Sequence, residues 1–282
     1  MQRIFKAGIA LLMLFLVINC KKSSDSNSAV KPTASYTYTS NGKSSVTFTS
    51  TSTNTPTSYT WNFGDGTTGT GNSVTHVYNM DSGFAVTLTV SNSAGSSSIT
   101  DTFQKLANIH TRFGDMLMWL DNQLPLYKRN FLGLADTGFY DSTTFHRLVP
   151  NFVIQGGDPL SKTPGNPYIG SGGPGYTIPF KTDLPLISHV YGAVGAASSG
   201  AQQAANGSQF YIVTNPQGEH SLDGSYAVFG LIINGMNNAI TIQNQPNSGS
   251  PNNMAINRIT MSVSVVIISN ADLKSKYGFT PY

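Results

Sequence analysis

The stretch FHRLVPNFVIQGGDP, residues 145–159, sets Arg147 among apolar residues in a 282-residue chain in which only 10% of residues are charged. A charge placed against hydrophobes needs a reason, because removing it from water without a partner is costly. A guanidinium is a planar, permanently charged donor, and beside a dry wall it is suited to stabilise charge or a lone pair that appears during a reaction. The other reactive-looking residues carry weaker patterns. Glu219 and His220 adjoin on a loop without a third ligand at metal spacing, and His76 has no such partner either. Asp65 lies in an Asp-Gly turn and reads as a turn former. The Gly-Gly-Pro-Gly run at 172–175 lacks the Lys-Ser/Thr and the helix that a phosphate loop requires. Neither metal nor cofactor is expected.

Length predicts two folded units with accessory segments. The formal charge is +3; without Arg3 and Lys6, 14 basic residues face 13 acidic ones, leaving +1. No basic run revives a nucleic-acid reading. The N-terminus, MQRIFKAGIALLMLFLVINC, places two basic residues before an apolar run from Ala7 to Ile18. That run is short for a membrane span and right for an export signal. It ends on Cys20, the only cysteine in the chain, which excludes an intramolecular disulfide.

From Pro32 to Phe103 the chain is rich in Ser and Thr and alternates strictly. Val46 and Phe48 share one face, as do Val86, Leu88 and Val90, with Thr87, Thr89 and Ser91 on the other. Turn signals at Asn41-Gly42, Asp65-Gly66, Gly71-Asn72 and Asp81–Gly83 separate these half-buried strands, a spacing that predicts a small β-sandwich. After a short connection, a strand-turn-strand pattern is expected around Phe113-Gly114-Asp115. Pro125 then opens a helix, Tyr127, Phe131, Leu134 and Ala135 form its apolar face, and Gly138 follows its end. Further patterned blocks are GFYDSTTFHR, a Gly/Pro-rich region over 162–179, GAVGAA, NGSQFYIV, LDGSYAVFG and RITMSVSVVII.

These blocks carry three resemblances. VINC resembles a bacterial lipobox, which implies acylation of Cys20 and anchoring in the cell envelope, although Asn19 stands where a small residue is usual. YTWNFGDGT with HVY, GFAVTLTVSNSAG and SITDTF resembles the PKD domain family, which implies an immunoglobulin-like sandwich serving as a spacer or as a contact surface for proteins or glycans. The second unit resembles the cyclophilin-type peptidyl-prolyl cis/trans isomerases through FHR-x-x-P-x-F-x-x-QGGD, NGSQF and LDG-x-x-x-VFG. The expected fold class is therefore all-β: a sandwich over 33–104, then an eight-stranded antiparallel barrel over 105–270 capped by helices at 125–136 and near Met236–Gln243. A signal peptide over 1–19, a lipidated cysteine and linker over 20–32 and a tail over 271–282 complete the division.

The cyclophilin resemblance implies action on X-Pro bonds of exported, proline-containing polypeptides. Arg147, Phe152 and Gln155 would be catalytic, and Val153, Ala197, Gln209, Tyr211, Leu222 and Tyr226 would bind substrate. Rotation about an X-Pro bond breaks amide resonance across a barrier of about 18–20 kcal/mol. It needs neither nucleophile nor metal, only tighter binding of the twisted amide. His146 is not expected to act as a base, since the reaction moves no proton and neighbouring strand residues face opposite ways. The chain departs from many relatives at Ser221 for tryptophan, Tyr226 for histidine, Val153 for methionine and Tyr211 for phenylalanine, and its loop before NGSQF is longer. One wall is thereby altered, which is expected to weaken affinity for cyclosporin-like macrocycles. The competing reading is a non-catalytic module that grips proline-containing or glycan partners.

Overall fold

The structure, a computed structural model, describes residues 29–79, 81–180 and 188–281. Cys20 and the expected signal segment lie outside these residues. Strands β1 (Tyr36–Gly42), β2 (Ser45–Ser50), β3 (Ser58–Asn62), β4 (Thr68–Thr70), β5 (Ser73–Val77), β6 (Phe84–Asn92) and the first half of β7 (Gly95–Thr111) build the N-terminal unit. They form two layers, β1-β2-β5 facing β4-β3-β6-β7, and every pairing is antiparallel. The alternation in the sequence becomes the two faces: Val46, Phe48, Trp61, Phe63, Val86, Leu88 and Val90 meet in one buried cluster. The Asn62–Gly66 turn depends on Gly64, at φ +80°, where a Cβ would lie 2.4 Å from the Ala85 carbonyl oxygen. Asp65 accepts from the Thr67 amide and pairs through its second oxygen with His76 at 2.7 Å.

The C-terminal unit comprises β8 (Gly114–Leu120), α1 (Pro125–Asp136), β9 (Thr143–Val149), β10 (Val153–Gly156), β11 (Thr177–Ile178), β12 (Ala193–Ser198), β13 (Ala205–Val213), β14 (Val228–Asn234), α2 (Met236–Gln243) and β15 (Thr260–Ser269). Its strands run in the order β7-β8-β14-β12-β13-β10-β9-β15, and β15 pairs again with β7, so eight strands close a barrel while β11 pairs outside it with β13. Closure removes the exposed edges. Phe145, Ile154, Phe210, Ile212 and Phe229 belong to the barrel core, and α1 adds Tyr127, Phe131 and Ala135 from the face its spacing predicts.

The short connection expected between the units is not there. β7 is one uninterrupted strand: its first half pairs with β6 from Asn92↔Gly95 to Phe84↔Phe103, and its second half pairs with β8. β15 lies along β7 from Met261↔Thr111 to Ser269↔Phe103, reaching past the barrel into the sandwich, so that Ile267 joins the sandwich core. Side chains reinforce the join. The Ile267 amide donates to Ser40 Oγ at 2.9 Å, the Ser269 amide to Tyr38 Oη at 3.0 Å, and Ser44 Oγ to Asp136. Residues 271–282, read as a tail, carry a third helix, α3 (Asn270–Tyr277), capped by Ser269 Oγ and ended by Gly278 at φ 64°. Leu273 and Phe279 pack there with Trp119 on the outer barrel wall. The low apolar content of Asn270–Tyr277 hides this helix from periodicity.

The two tryptophans, Trp61 in the sandwich and Trp119 on the barrel, report the two units separately. Ile267→Ala is expected to cost about 2–5 kcal/mol and to lower the urea midpoints of single-tryptophan versions carrying either reporter together. A shift confined to the Trp61 reporter would mean that the units unfold independently.

Candidate active site

Register places the central residues. Arg147 on β9 is opposite Gln155 on β10, and Gln155 is opposite Tyr211 on β13. The three therefore form one row across three adjacent strands. Val153, two residues before Gln155, falls on the same face. Phe152 comes from the turn joining β9 to β10, Ala197 from β12, and Leu222 from a 3-10 turn at His220–Leu222. Arg147, Phe152, Val153, Gln155, Ala197, Tyr211, Leu222 and Tyr226 line one cavity of about 220 Å3, with Ser198 added. Val153, Ala197 and Tyr211 belong to an apolar cluster separate from the barrel core, against which Phe152, Leu222 and Tyr226 pack, so the cavity lies on the outer wall of the barrel.

Arg147 is the polar end of this apolar seat. It is half-buried, and among the described residues no side chain forms a hydrogen bond or ion pair with its guanidinium. Burial lowers its pKa from the ordinary value, but an arginine starts so high that it remains a cation. Gln155 Nε2 donates to Gln209 Oε1 at 3.0 Å. Gln209 is not in the cavity wall; its Nε2 donates to the Gly170 and Gly172 carbonyls at 3.0 and 2.8 Å, tying Gln155 to the glycine-rich loop. The fully buried Asp158 of the QGGD motif holds the same loop from below, accepting from the Gly170 and Gly172 amides.

His146 points elsewhere. It is 4% exposed, does not line the cavity, and neither ring nitrogen has a hydrogen-bond partner. Burial lowers its pKa, against the pull of Asp158. Glu219 accepts from Asn215 and His220 pairs with Asp223.

Reading the sequence missed the support behind Tyr211. The Tyr211 hydroxyl lies 2.8 Å from His189 Nε2, and His189 Nδ1 lies 2.8 Å from Asp223 Oδ1. One tautomer satisfies both contacts: Nδ1–H donates to Asp223 and Nε2 accepts from Tyr211. Burial lowers the His189 pKa and favours the neutral ring that this arrangement needs, against the opposing Asp223 bond. Desolvation pushes Asp223 up, but hydrogen bonds from Ser188, His189 and His220 outweigh it and hold the carboxyl well below its usual range. Gly195 makes room for the ring, since a Cβ there would lie 2.2 Å from Tyr211 Cζ. Asp223 lies in the LDG block, a signal that was available; a lone histidine in LISHVYG gives none.

Comparison with known proteins agrees with this geometry. The family model described as cyclophilin type peptidyl-prolyl cis-trans isomerase/CLD matches residues 106–264, and a PKD domain model matches residues 29–105. The chain is 43% identical over 115 residues to peptidyl-prolyl cis-trans isomerase B of Bacillus subtilis, covering 41% of this chain and 73% of that protein. A peptidyl-prolyl cis-trans isomerase of Synechococcus elongatus is 41% identical over 115 residues, covering 40% of this chain and 70% of that one. A crystal structure of a cyclophilin type isomerase from Cryptosporidium parvum superposes with a TM-score of 0.50 at 32% identity, covering 60% of this chain and 99% of its own. With more than half its length matched by the family and the closed barrel in place, the chain belongs to the cyclophilin-type peptidyl-prolyl cis-trans isomerases and carries a PKD domain on the N-terminal side of the barrel.

Proposed function

We propose that Arg147 is the transition-state donor of this isomerase and that the enzyme works on exported polypeptides in the cell envelope. The observation that carries the first part is the unpaired guanidinium at the polar end of an apolar cavity. As an X-Pro amide twists, the prolyl nitrogen loses conjugation and regains a lone pair. A fixed cationic donor near that nitrogen is better bonded in the twisted state than in either planar one, which is the condition for acceleration. The proline ring seats on Phe152, Val153, Tyr211 and Leu222, Ala197 and Tyr226 bound the remaining wall, and Gln155, steadied by Gln209, aligns the peptide with Arg147. A charge-assisted hydrogen bond is worth about 1.5–3 kcal/mol, and about 1.36 kcal/mol is tenfold in rate. Such a bond therefore supplies one to two decades, and more in a desolvated site.

The envelope reading rests on the N-terminal sequence: basic residues, an apolar run and Cys20 in a lipobox-like setting. An acylated cysteine alone gives reversible membrane attachment, and two or more chains give a stable one. The PKD unit, continuous with the barrel through β7, then holds the isomerase site in a fixed orientation while offering its own surface to protein or glycan partners.

Two outcomes are expected. Arg147→Ala lowers kcat/KM on an Ala-Pro peptide by about 10²–10³, with an unchanged unfolding midpoint; a loss below threefold would remove the arginine from the mechanism. Cys20→Ser moves the protein expressed in a bacterial host from the membrane fraction to the soluble fraction, and persistence in the membrane would exclude a lipid anchor at that residue.

A further inference from the structure

Tyr211 brings into the apolar seat a polar group that a proline ring cannot use. Its ring lines the cavity, but the residue is only 6% exposed and its hydroxyl is directed to His189, which is not part of the cavity wall. Among the described residues His189 Nε2 is the one hydrogen-bond partner of that hydroxyl. Left without a partner, a buried hydroxyl costs about 1–3 kcal/mol. Turning the ring so that the hydroxyl reaches water in the cavity relieves the cost. In a cavity of about 220 Å3 the turned ring then competes with the proline ring for the same space.

The rest of the neighbourhood holds His189 in the place where it prevents this. The imidazole is fully buried, with its Nδ1 and its own backbone amide both on Asp223 Oδ1, at 2.8 and 2.7 Å. The His189 carbonyl accepts from the Glu219 amide at 2.7 Å. Asp223 directly follows Leu222, another residue of the cavity wall, so one imidazole joins β13 to the turn that carries Leu222. Gly195, opposite Tyr211 on β12, keeps the path clear: a Cβ there would lie 2.3 Å from the Tyr211 hydroxyl oxygen.

We propose that His189 is a positioning residue for the isomerase: by accepting the Tyr211 hydroxyl it keeps the ring turned away from the proline seat and so sets substrate affinity. The inference rests on the reading that the proline ring seats on Tyr211.

The test is kcat and KM on an Ala-Pro peptide for the full chain, His189→Leu, Tyr211→Phe and the double variant, each with its urea midpoint. His189→Leu is expected to raise KM by about tenfold with kcat changed less than about twofold, the pattern of lost uniform binding. In the Tyr211→Phe background the same substitution changes KM by less than about twofold, because both polar partners are then gone. His189→Gln, whose carbonyl can accept the hydroxyl, restores most of the affinity. Equal KM increases in both backgrounds would make His189 a loop anchor acting through Asp223, and an unchanged KM in both would remove it from the site; either overturns the proposal.

Acidification tests the same contact without a substitution at His189, and so decides the matter if His189→Leu fails to fold. A second proton makes Nε2 a donor and leaves the hydroxyl proton without an acceptor. The titratable groups facing the ring are Asp223 at Nδ1, Tyr211 at Nε2, and Glu219 and His220 nearby. Burial lowers the His189 pKa, so KM should rise only below the ordinary histidine range, in the unsubstituted chain and not in Tyr211→Phe. Identical acid profiles in the two chains would overturn the proposal. Turnover with either contrary result removes His189 alone, whereas no turnover in the unsubstituted chain would overturn the isomerase reading and this inference together.

Discussion

The β7–β15 ladder is the constraint on which the rest of the molecule depends. The barrel closes because its last strand returns to its first, and that first strand is also the last strand of the sandwich. Continuing the ladder to Ser269↔Phe103 spends barrel residues on the sandwich core, and the local caps of α3 then anchor the chain end beside Tyr38. The PKD unit is thus part of one hydrogen-bonded sheet with the isomerase. Relative rotation of the two would require breaking ladder bonds, each of which is modest alone but costly to leave unmade in a buried strand.

Closure fixes the wall of the candidate site by the same logic. Arg147, Gln155 and Tyr211 are neighbours only through the register of β9, β10 and β13, so their spacing is held by backbone geometry. Beyond that row, the polar support is arranged outside the cavity: Gln209 and Asp158 hold the glycine-rich loop, and the neutral His189 carries the Tyr211 hydroxyl to Asp223. In the cavity wall Arg147 is the one charged group, beside the polar Gln155 and Ser198 and an otherwise apolar and aromatic lining. Tyr211 fits that wall because Gly195 opposite it leaves room for the ring and His189 takes up its hydroxyl.

Much of this was legible in the residues. Alternation in residues 84–92 and the i, i+4, i+8 face of residues 127–135 state their burial directly, and the motif blocks bring Leu222, far along the chain, together with Arg147, Phe152 and Gln155 of one hairpin. What was not legible has physical causes. Alternation breaks at residues 103–107, Phe-Gln-Lys-Leu-Ala, which are all buried where the strand passes from one unit to the other, so a strand shared by two sheets reads like two strands with a connection. Lys128 sits beside Tyr127 and Phe131 in the helical pattern, where a charged residue reads as solvated; its burial follows from the sandwich docked above it. His189 acquires its role only from tertiary contact with β13.

The central claim is that this site lowers the barrier by placing a fixed charge against a twisted amide, with no proton in flight. The most direct measurement is kcat/KM for an Ala-Pro peptide in light and heavy water at matched pH and pD, well above the histidine range. The account predicts equal rates, because neither Arg147 nor the amide exchanges a proton at the transition state. A clear slowing in heavy water, abolished by His146→Ala, would contradict it and place a proton transfer where the geometry puts a charge.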